Sequence, residues 1–314
     1  MKKDSRIVLL DASTLGKVEA LTKLSQWGIF ESYESTSPAE VASRIAEADV
    51  VITNKVVLTA DDLSQAKQLK LICVAATGMN NIDLNAAKEK NIAVKNVKGY
   101  STYGVAQQTF ATILSLIHQL PFLDDYVKSG TYSEGAMFTY IQEDIYELKG
   151  KVFGIIGLGD IGKQVAKIAT AFGCEVIYYS TSGQNNEAGY SRVTWDELLL
   201  RSDILTVHAP LNEQTKGLLN YEAISKMKRT AILHNAGRGG IILEDDLCQA
   251  LEERKITAAA LDVYAQEPLL ADSSLLNPAL HDRLLLTPHT AWASKESRER
   301  LVEGIIQNIK EVLG

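Results

Sequence analysis

Along the first hundred residues, short apolar runs alternate with stretches whose apolar positions recur at helical spacing. Runs of four or five such residues are what strands buried on both faces look like. They predict strands over residues 7–10, 33–36, 50–53, 71–75 and 93–96, with helices over 17–27, 38–48, 61–67 and 84–90 between them. Strand and helix in alternation predict a parallel sheet covered by helices. Residues 101–120 then read as one long helix ended by Pro121, with Val105, Thr109, Thr112, Ile113, Leu116 and Ile117 on its buried side. Residues 124–147 are polar, aromatic and irregular in pattern, which suits an arm or lid.

A second α/β series begins at residue 151, with strands expected over 152–156, 204–207, 231–235, 258–261 and 284–286 and helices over 194–201, 221–227, 244–253 and 294–313. Its opening, residues 151–180, is the stretch that organises the chain. An apolar run leads into Gly157-Leu158-Gly159-Asp160-Ile161-Gly162, a helical pattern follows as far as Phe172, and a second apolar run starts after Gly173. In that order, Gly157 suits a tight turn, Gly159 a close approach of backbone to a pyrophosphate, and Gly162 close packing of helix on strand, with the anion at the helix N-terminus. The later strands end in unusual residue sets: His208-Ala209-Pro210, Asn235 to Gly240, Asp262-Val263-Tyr264 and Thr287 to Trp292. Residues 75–83 form a loop rich in small residues after a strand of the first series. Carboxyl ends of parallel strands are where such sheets hold ligands.

Composition narrows the function classes. A chain of 314 residues has room for two domains, and 46% apolar with 23% charged residues is the make-up of an ordinary globular protein. The net charge of -7 argues against a basic nucleic-acid surface and against anionic membranes. Cys73, Cys174 and Cys248 lie far apart in or beside apolar runs, so neither a metal site nor a disulfide framework is expected. The N-terminus has no signal-peptide core and no apolar stretch is long enough to span a bilayer, so the cytoplasm is the expected location.

Three side chains stand out as chemistry. Arg238 sits among Gly237, Gly239 and Gly240, which are expected to leave it uncrowded and free to hold a carboxylate with two parallel hydrogen bonds; a surface arginine in a glycine turn is the alternative. His289 follows a strand between Pro288 and Thr290, and Glu267 precedes Pro268. A carboxylate beside an imidazole orients it and favours its charged form, which suits proton transfer. His118, His208, His234 and His281 show how often a histidine is only a packing or capping residue.

Taken in order with the glycine turn, these residues make the sequence resemble the D-isomer-specific 2-hydroxyacid dehydrogenases, most of all their glycerate dehydrogenase (hydroxypyruvate reductase) branch. The resemblance runs through segments 76–83, 100–107, 157–162, 208–210, 235–239, 261–263, 267–268 and 287–292. It implies an α/β protein of two doubly wound parallel-sheet domains, with a Rossmann-type cofactor domain (101–292) inserted in a flavodoxin-like substrate domain (1–100 plus 293–314). It implies hydride transfer between NAD(P)H and a small 2-oxo acid such as hydroxypyruvate or glyoxylate, with Arg238, Glu267 and His289 as the catalytic set and no metal. The substrate would meet Asn54, Thr77, Gly78, Met79, Arg238 and Trp292, although Trp292 also reads as a packing residue. The cofactor would meet Thr109, Gly157, Leu158, Gly159, Asp160, Ile161, Ser180, His208, Ala209, Pro210, Thr215, Ala236, Gly237, Arg238, Asp262, His289 and Ala291, with Asp262 positioning the carboxamide. A homodimer built through the central domain and the 124–147 arm is also implied.

The sequence departs from the family pattern in three places. Ser180 stands where NAD-preferring members place an acidic residue, and no arginine neighbours it in sequence, so NAD or NADP is expected with NAD slightly favoured. Gln107 replaces a glutamate common in relatives, and the last helix is followed closely by Gly314. Two other readings remain open: a dehydrogenase for another D-2-hydroxy acid, and a dinucleotide-sensing binding protein similar to the corepressors built on this fold.

Overall fold

Five strands of the first hundred residues form one all-parallel sheet: β1 (Arg6–Leu9), β2 (Ile29–Ser32), β3 (Val50–Thr53), β4 (Leu71–Val74) and β5 (Ala93–Asn96), in the spatial order β2-β1-β3-β4-β5. That is the flavodoxin-like order, whose direction of winding reverses between β1 and β3. The computed structural model describes residues 5–314 apart from 143, 185 and 188. Within it the chain falls into two compact units, Met1–Ser101 with Trp292–Gly314, and Thr102–Ala291.

In the first unit β3 and β4 are fully buried apolar runs, as their sequences demand. The helix Lys295–Leu313 returns to this unit and packs Leu301, Val302, Ile305, Ile306 and Ile309 into the same core as Ile7, Leu9, Ile52 and Leu71. The edge strand differs from expectation. It occupies residues 29–32 rather than 33–36, and Ile29 is 48% exposed, so burial leaves no apolar run to read there. Tyr33 instead leaves the sheet after one last bond to Leu9 and lies against the Arg44 guanidinium, 4.0 Å from its ring centre.

The second unit holds seven parallel strands: β6 (Val152–Ile156), β7 (Glu175–Tyr179), β8 (Ser191–Arg192), β9 (Ile204–Val207), β10 (Ile232–Asn235), β11 (Ala258–Leu261) and β12 (Leu284–Leu286). Their order is β12-β11-β10-β9-β6-β7-β8, so the winding reverses between β6 and β9. This is the Rossmann order extended by one strand. The short polar β8 has no counterpart among the strands expected from the sequence.

Pro121 does not end a single long helix. The helix Thr102–Ile117 stops first, Gln119 takes a left-handed φ of 51°, and Pro121 lies in the first turn of a second helix, Leu120–Lys128, where its missing N–H has no partner to lose. The segment beyond is also more ordered than its pattern suggests: a short helix spans Thr131–Glu134, and Tyr126 packs against Phe122, Tyr132 and Tyr140. Met137, Phe138, Ile141, Ile145 and Tyr146 remain exposed, Phe138 at 88%. Among the described residues, no helix is long and apolar enough to cross a membrane.

Candidate active site

The glycine turn sits where the winding of the second sheet reverses. Gly157 has φ +89°, and a Cβ there would lie 2.9 Å from the Ala209 backbone, so the turn is pressed against the segment leaving β9. A Cβ on Gly162 would meet the Gly157 carbonyl at 2.3 Å, which fixes helix Asp160–Ala171 close to the turn. Beside Gly159 the space is open: nothing lies within 4 Å of a Cβ built there. An open face at a helix N-terminus, next to amides that lack helical acceptors, fits a pyrophosphate. Leu158 instead faces the core.

Ser180 follows β7, is buried, and begins a turn that Gly183 closes onto the Ser180 carbonyl. No arginine neighbours Ser180 in sequence, but the fold brings one to this turn. Strand β8 pairs Arg192 with Tyr178, and the Arg192 Nη1 donates to the Gly183 carbonyl at 2.9 Å. Twelve residues of sequence hide a neighbour that strand pairing restores.

At the end of β9, the hydroxyl of Thr206 bridges two imidazoles, 3.0 Å from His208 Nε2 and 2.8 Å from His234 Nδ1. Burial pushes both histidines down to about 3, and His208 adds to the effect on His234. Both are therefore neutral in the folded protein, while the unfolded chain regains the ordinary value of 6.5. Between those values the unfolded state binds more protons, so stability is complete above the upper value and falls as pH drops. By pH 5 each imidazole costs about 2 kcal/mol. The thermal midpoint is expected to decline from pH 6.5 to pH 5, and His234→Gln should make that decline shallower. An unchanged slope in the variant would clear the pair of this role.

Two other residues assigned to the cofactor face inward. The Thr109 hydroxyl donates to Val105 O at 2.8 Å, and the fully buried Thr215 donates to Pro210 O at 2.7 Å, closing the 210–215 turn.

Arg238 follows β10 and is exposed, with Nη1 donating to the Gly237 carbonyl at 2.8 Å. The glycines beside it have a further role in packing the loop. A Cβ on Gly239 would fall 1.7 Å from the Tyr264 carbonyl, and one on Gly237 would be 3.1 Å from Val207 O. These two glycines let the loop press against its neighbours. The buried Asn235 side chain holds the loop's shape, donating to Arg238 O and accepting from Gly237 N, both at 2.9 Å.

Gly239 thereby brings the Arg238 loop against residues 264–265, which lead to Glu267. One Glu267 oxygen accepts from Tyr264 N at 3.0 Å, and the other lies 2.6 Å from His289 Nδ1. An ionised carboxylate only accepts, so Nδ1 carries the proton of this bond and Nε2 is the nitrogen left to exchange one. His289 and Glu267 keep 26% and 31% of their side chains exposed. His289 adopts a left-handed φ of 52°, uncommon for a residue with a Cβ. Asp262, buried at the end of β11, maintains that shape: it accepts from Thr287 Oγ1 at 2.6 Å and from the amides of Thr290 and Ala291 at 2.9 Å. The Tyr264 hydroxyl adds a bond to Thr287 O at 2.9 Å. Glu244 accepts from Ala265 N at 2.6 Å; burial, with the charges of Asp245 and Glu267, raises its carboxyl above the usual range.

The residues assigned to the substrate in the first unit are placed by its own sheet. Asn54 and Lys55 follow β3, and their amides, with that of Val56, converge on the buried Asp11 carboxylate at 2.6–3.2 Å. Asn54 Nδ2 donates to Thr14 Oγ1 at 3.0 Å. The 77–79 loop after β4 is tied to β5 by Asn96 donating to Thr77 O at 2.5 Å. Trp292 makes an edge contact with Tyr100, ring centres 6.3 Å apart, and packs on the core. Asp11, Asn235, Glu244 and Arg192 were not singled out from the sequence. Only Asn235 had a local signal, its place in the quoted 235–239 segment. Among the described residues no cluster of His, Cys, Asp or Glu could hold a metal ion.

Residues 110–291 match the family model described as D-isomer specific 2-hydroxyacid dehydrogenase, NAD binding domain. A hydroxypyruvate reductase of Blautia hydrogenotrophica is 36% identical over 316 residues, covering 98% of this chain and 97% of that protein. A glycerate dehydrogenase of Methylorubrum extorquens is 37% identical, covering 90% and 88%. Among solved structures, an acyclic imino acid reductase in complex with NADPH and D-Arg superposes with a TM-score of 0.87 at 30% identity, covering 98% and 97%. Two parallel-sheet units, a glycine turn at the winding reversal and relatives alike from end to end lead to one conclusion: this chain belongs to the D-isomer specific 2-hydroxyacid dehydrogenase family.

Proposed function

We propose that the protein reduces a small 2-oxo acid to its D-2-hydroxy acid with a nicotinamide dinucleotide, hydroxypyruvate or glyoxylate being the first substrates to try. The observation that carries this reading is the 2.6 Å bond from His289 to Glu267, which leaves Nε2 as the proton-exchanging nitrogen. The bound nicotinamide supplies the hydride for C2. His289 gives its Nε2 proton to the C2 oxygen, so that carbonyl becomes hydroxyl; Glu267 keeps the ring oriented and balances its charge. Arg238 holds the substrate carboxylate and draws electron density from the carbonyl. In this reading the Thr102–Ala291 unit binds the cofactor, and the loops after β3 and β4 in the other unit decide which acid is taken. The test is oxidation of NADH and NADPH, followed at the nicotinamide absorbance with a panel of 2-oxo acids. Tight dinucleotide binding without turnover on any acid would favour the sensor reading instead.

Both cofactors are proposed to serve. Ser180 offers no carboxylate to repel a 2′-phosphate, and Arg192 beside that turn offers a charge to attract one. A charge-assisted bond of about 1.5–3 kcal/mol makes Arg192→Ala lower kcat/KM with NADPH about tenfold or more relative to NADH. Equal losses with the two cofactors would remove Arg192 from the site.

The exposed apolar residues at 137–146 are the proposed face of a homodimer. Sedimentation that gives a monomer at micromolar concentration would exclude it. The three free cysteines are buried and burial pushes the Cys73 thiol up to about 12, which suits a reducing compartment, for which we take the cytoplasm.

A further inference from the structure

Strands β10, β11 and β12 carry unusual residues at both ends. Their carboxyl ends lead into Arg238, Asp262 and His289, while Arg229, Arg254 and Arg283 stand before their amino ends. These three arginines, with Ile256 and Thr257, line a cavity of about 210 Å³. A four-residue strand rises about 13 Å. The cavity therefore lies at the opposite edge of the sheet from the proton-transfer residues.

Like charges gather there without forming ion pairs. Among the described residues, none of the three guanidiniums takes part in an ion pair, whereas the neighbouring Lys228 pairs with Asp203 and Lys255 with Glu253. Two of the carboxylates close by in sequence are engaged elsewhere: Glu252 accepts from Asn277 at 2.7 Å, and Glu253 accepts from Tyr221 and Gln249. Burial and the charge of Arg254 hold the Arg283 guanidinium below its ordinary range, against the weaker pull of Asp282. Arg283 is also fixed in place, with Nη1 donating to Leu251 O at 2.6 Å. A helix dipole accounts for one cation at the end of helix Glu244–Glu252, and so for Arg254. It does not account for Arg229 and Arg283, which come from two other loops.

An acidic chain that collects three unpaired arginines around one cavity has built a local field for an anion. Planar guanidinium forks match the oxygens of phosphate and bind them in pairs. Size decides the class: sites for drug-sized ligands run to about 300–1,000 Å³, so a cavity of about 210 Å³ suits a phosphate or pyrophosphate group rather than a second dinucleotide. We propose that Arg229, Arg254 and Arg283 form a binding site for a small phosphate-class polyanion, separate from the hydride-transfer site.

Calorimetric titration of the whole 314-residue chain, saturated with NADH so that the glycine turn is occupied, tests this with inorganic pyrophosphate as probe. Titrations with citrate, and with sodium chloride at matched ionic strength, run alongside. The expected result is one pyrophosphate per chain, weakened about tenfold or more in the exposed pair Arg229→Gln/Arg254→Gln, whose NADH affinity stays that of the parent. Arg283, being half-buried and bonded to Leu251, is left intact so that the fold is kept. Absence of pyrophosphate binding at millimolar concentration, or equal binding by parent and variant, would overturn the site. Citrate binding tighter than pyrophosphate would overturn its assignment to phosphate.

Discussion

His289→Ala is expected to lower kcat for 2-oxo acid reduction by about 10²–10⁴, the usual cost of losing a well-placed general acid. The effect should be confined to chemistry. The imidazole's bonding partner is the Glu267 carboxylate, and its side chain is partly open to solvent, so its removal leaves no buried group stranded. NADH affinity, measured by fluorescence titration, and the thermal midpoint should therefore stay close to those of the parent. Glu267→Gln keeps an acceptor for Nδ1 but removes the charge that balances a protonated ring, and its loss should be smaller than that of His289→Ala. A His289→Ala enzyme that turns over at the parental rate would take His289 out of the mechanism. Parental NADH binding with a collapsed kcat would instead support its assignment as proton donor.

What the sequence disclosed depended on how far apart the interacting residues lie. Strands 50–53, 204–207 and 258–261 have the bounds expected of them, because strands inside a parallel sheet are buried on both faces, so they are short and largely apolar. The edge strand Ile29–Ser32 and the two-residue β8 are half-exposed or polar, so burial leaves no mark by which to find them. The family and its two-sheet architecture were legible because the glycine turn and the strand-end residue sets are local features. The neighbours that shape the site were not. Glu244 reaches Ala265 across 21 residues and Asp11 reaches the Asn54 loop across more than 40, and neither separation has a periodic signature. The glycines around Arg238 were visible, but the packing role of Gly237 and Gly239 was not. What a missing Cβ makes room for is decided by the backbone it meets, here the Tyr264 carbonyl.

Asp262→Ala is expected to cost both stability and rate, and it separates two roles for this residue. The resemblance assigns Asp262 to the nicotinamide carboxamide; its bonds make it the anchor of the loop that carries His289. Its oxygens accept from Thr287 before the histidine and from Thr290 and Ala291 after it, so the carboxylate clamps the loop on both sides of a residue held at positive φ. Alanine leaves the Ala291 amide buried without an acceptor and frees the loop, at a cost of about 1–3 kcal/mol for each unpaired group. Displacement of His289 by as little as about 1 Å would lower kcat by about 10². An anchor acts in the absence of cofactor. Hydrogen exchange at the Thr290 and Ala291 amides should therefore accelerate in the cofactor-free variant, with kcat falling more than NADH affinity. Unchanged exchange at those amides, together with a loss confined to NADH affinity, would return Asp262 to the carboxamide alone.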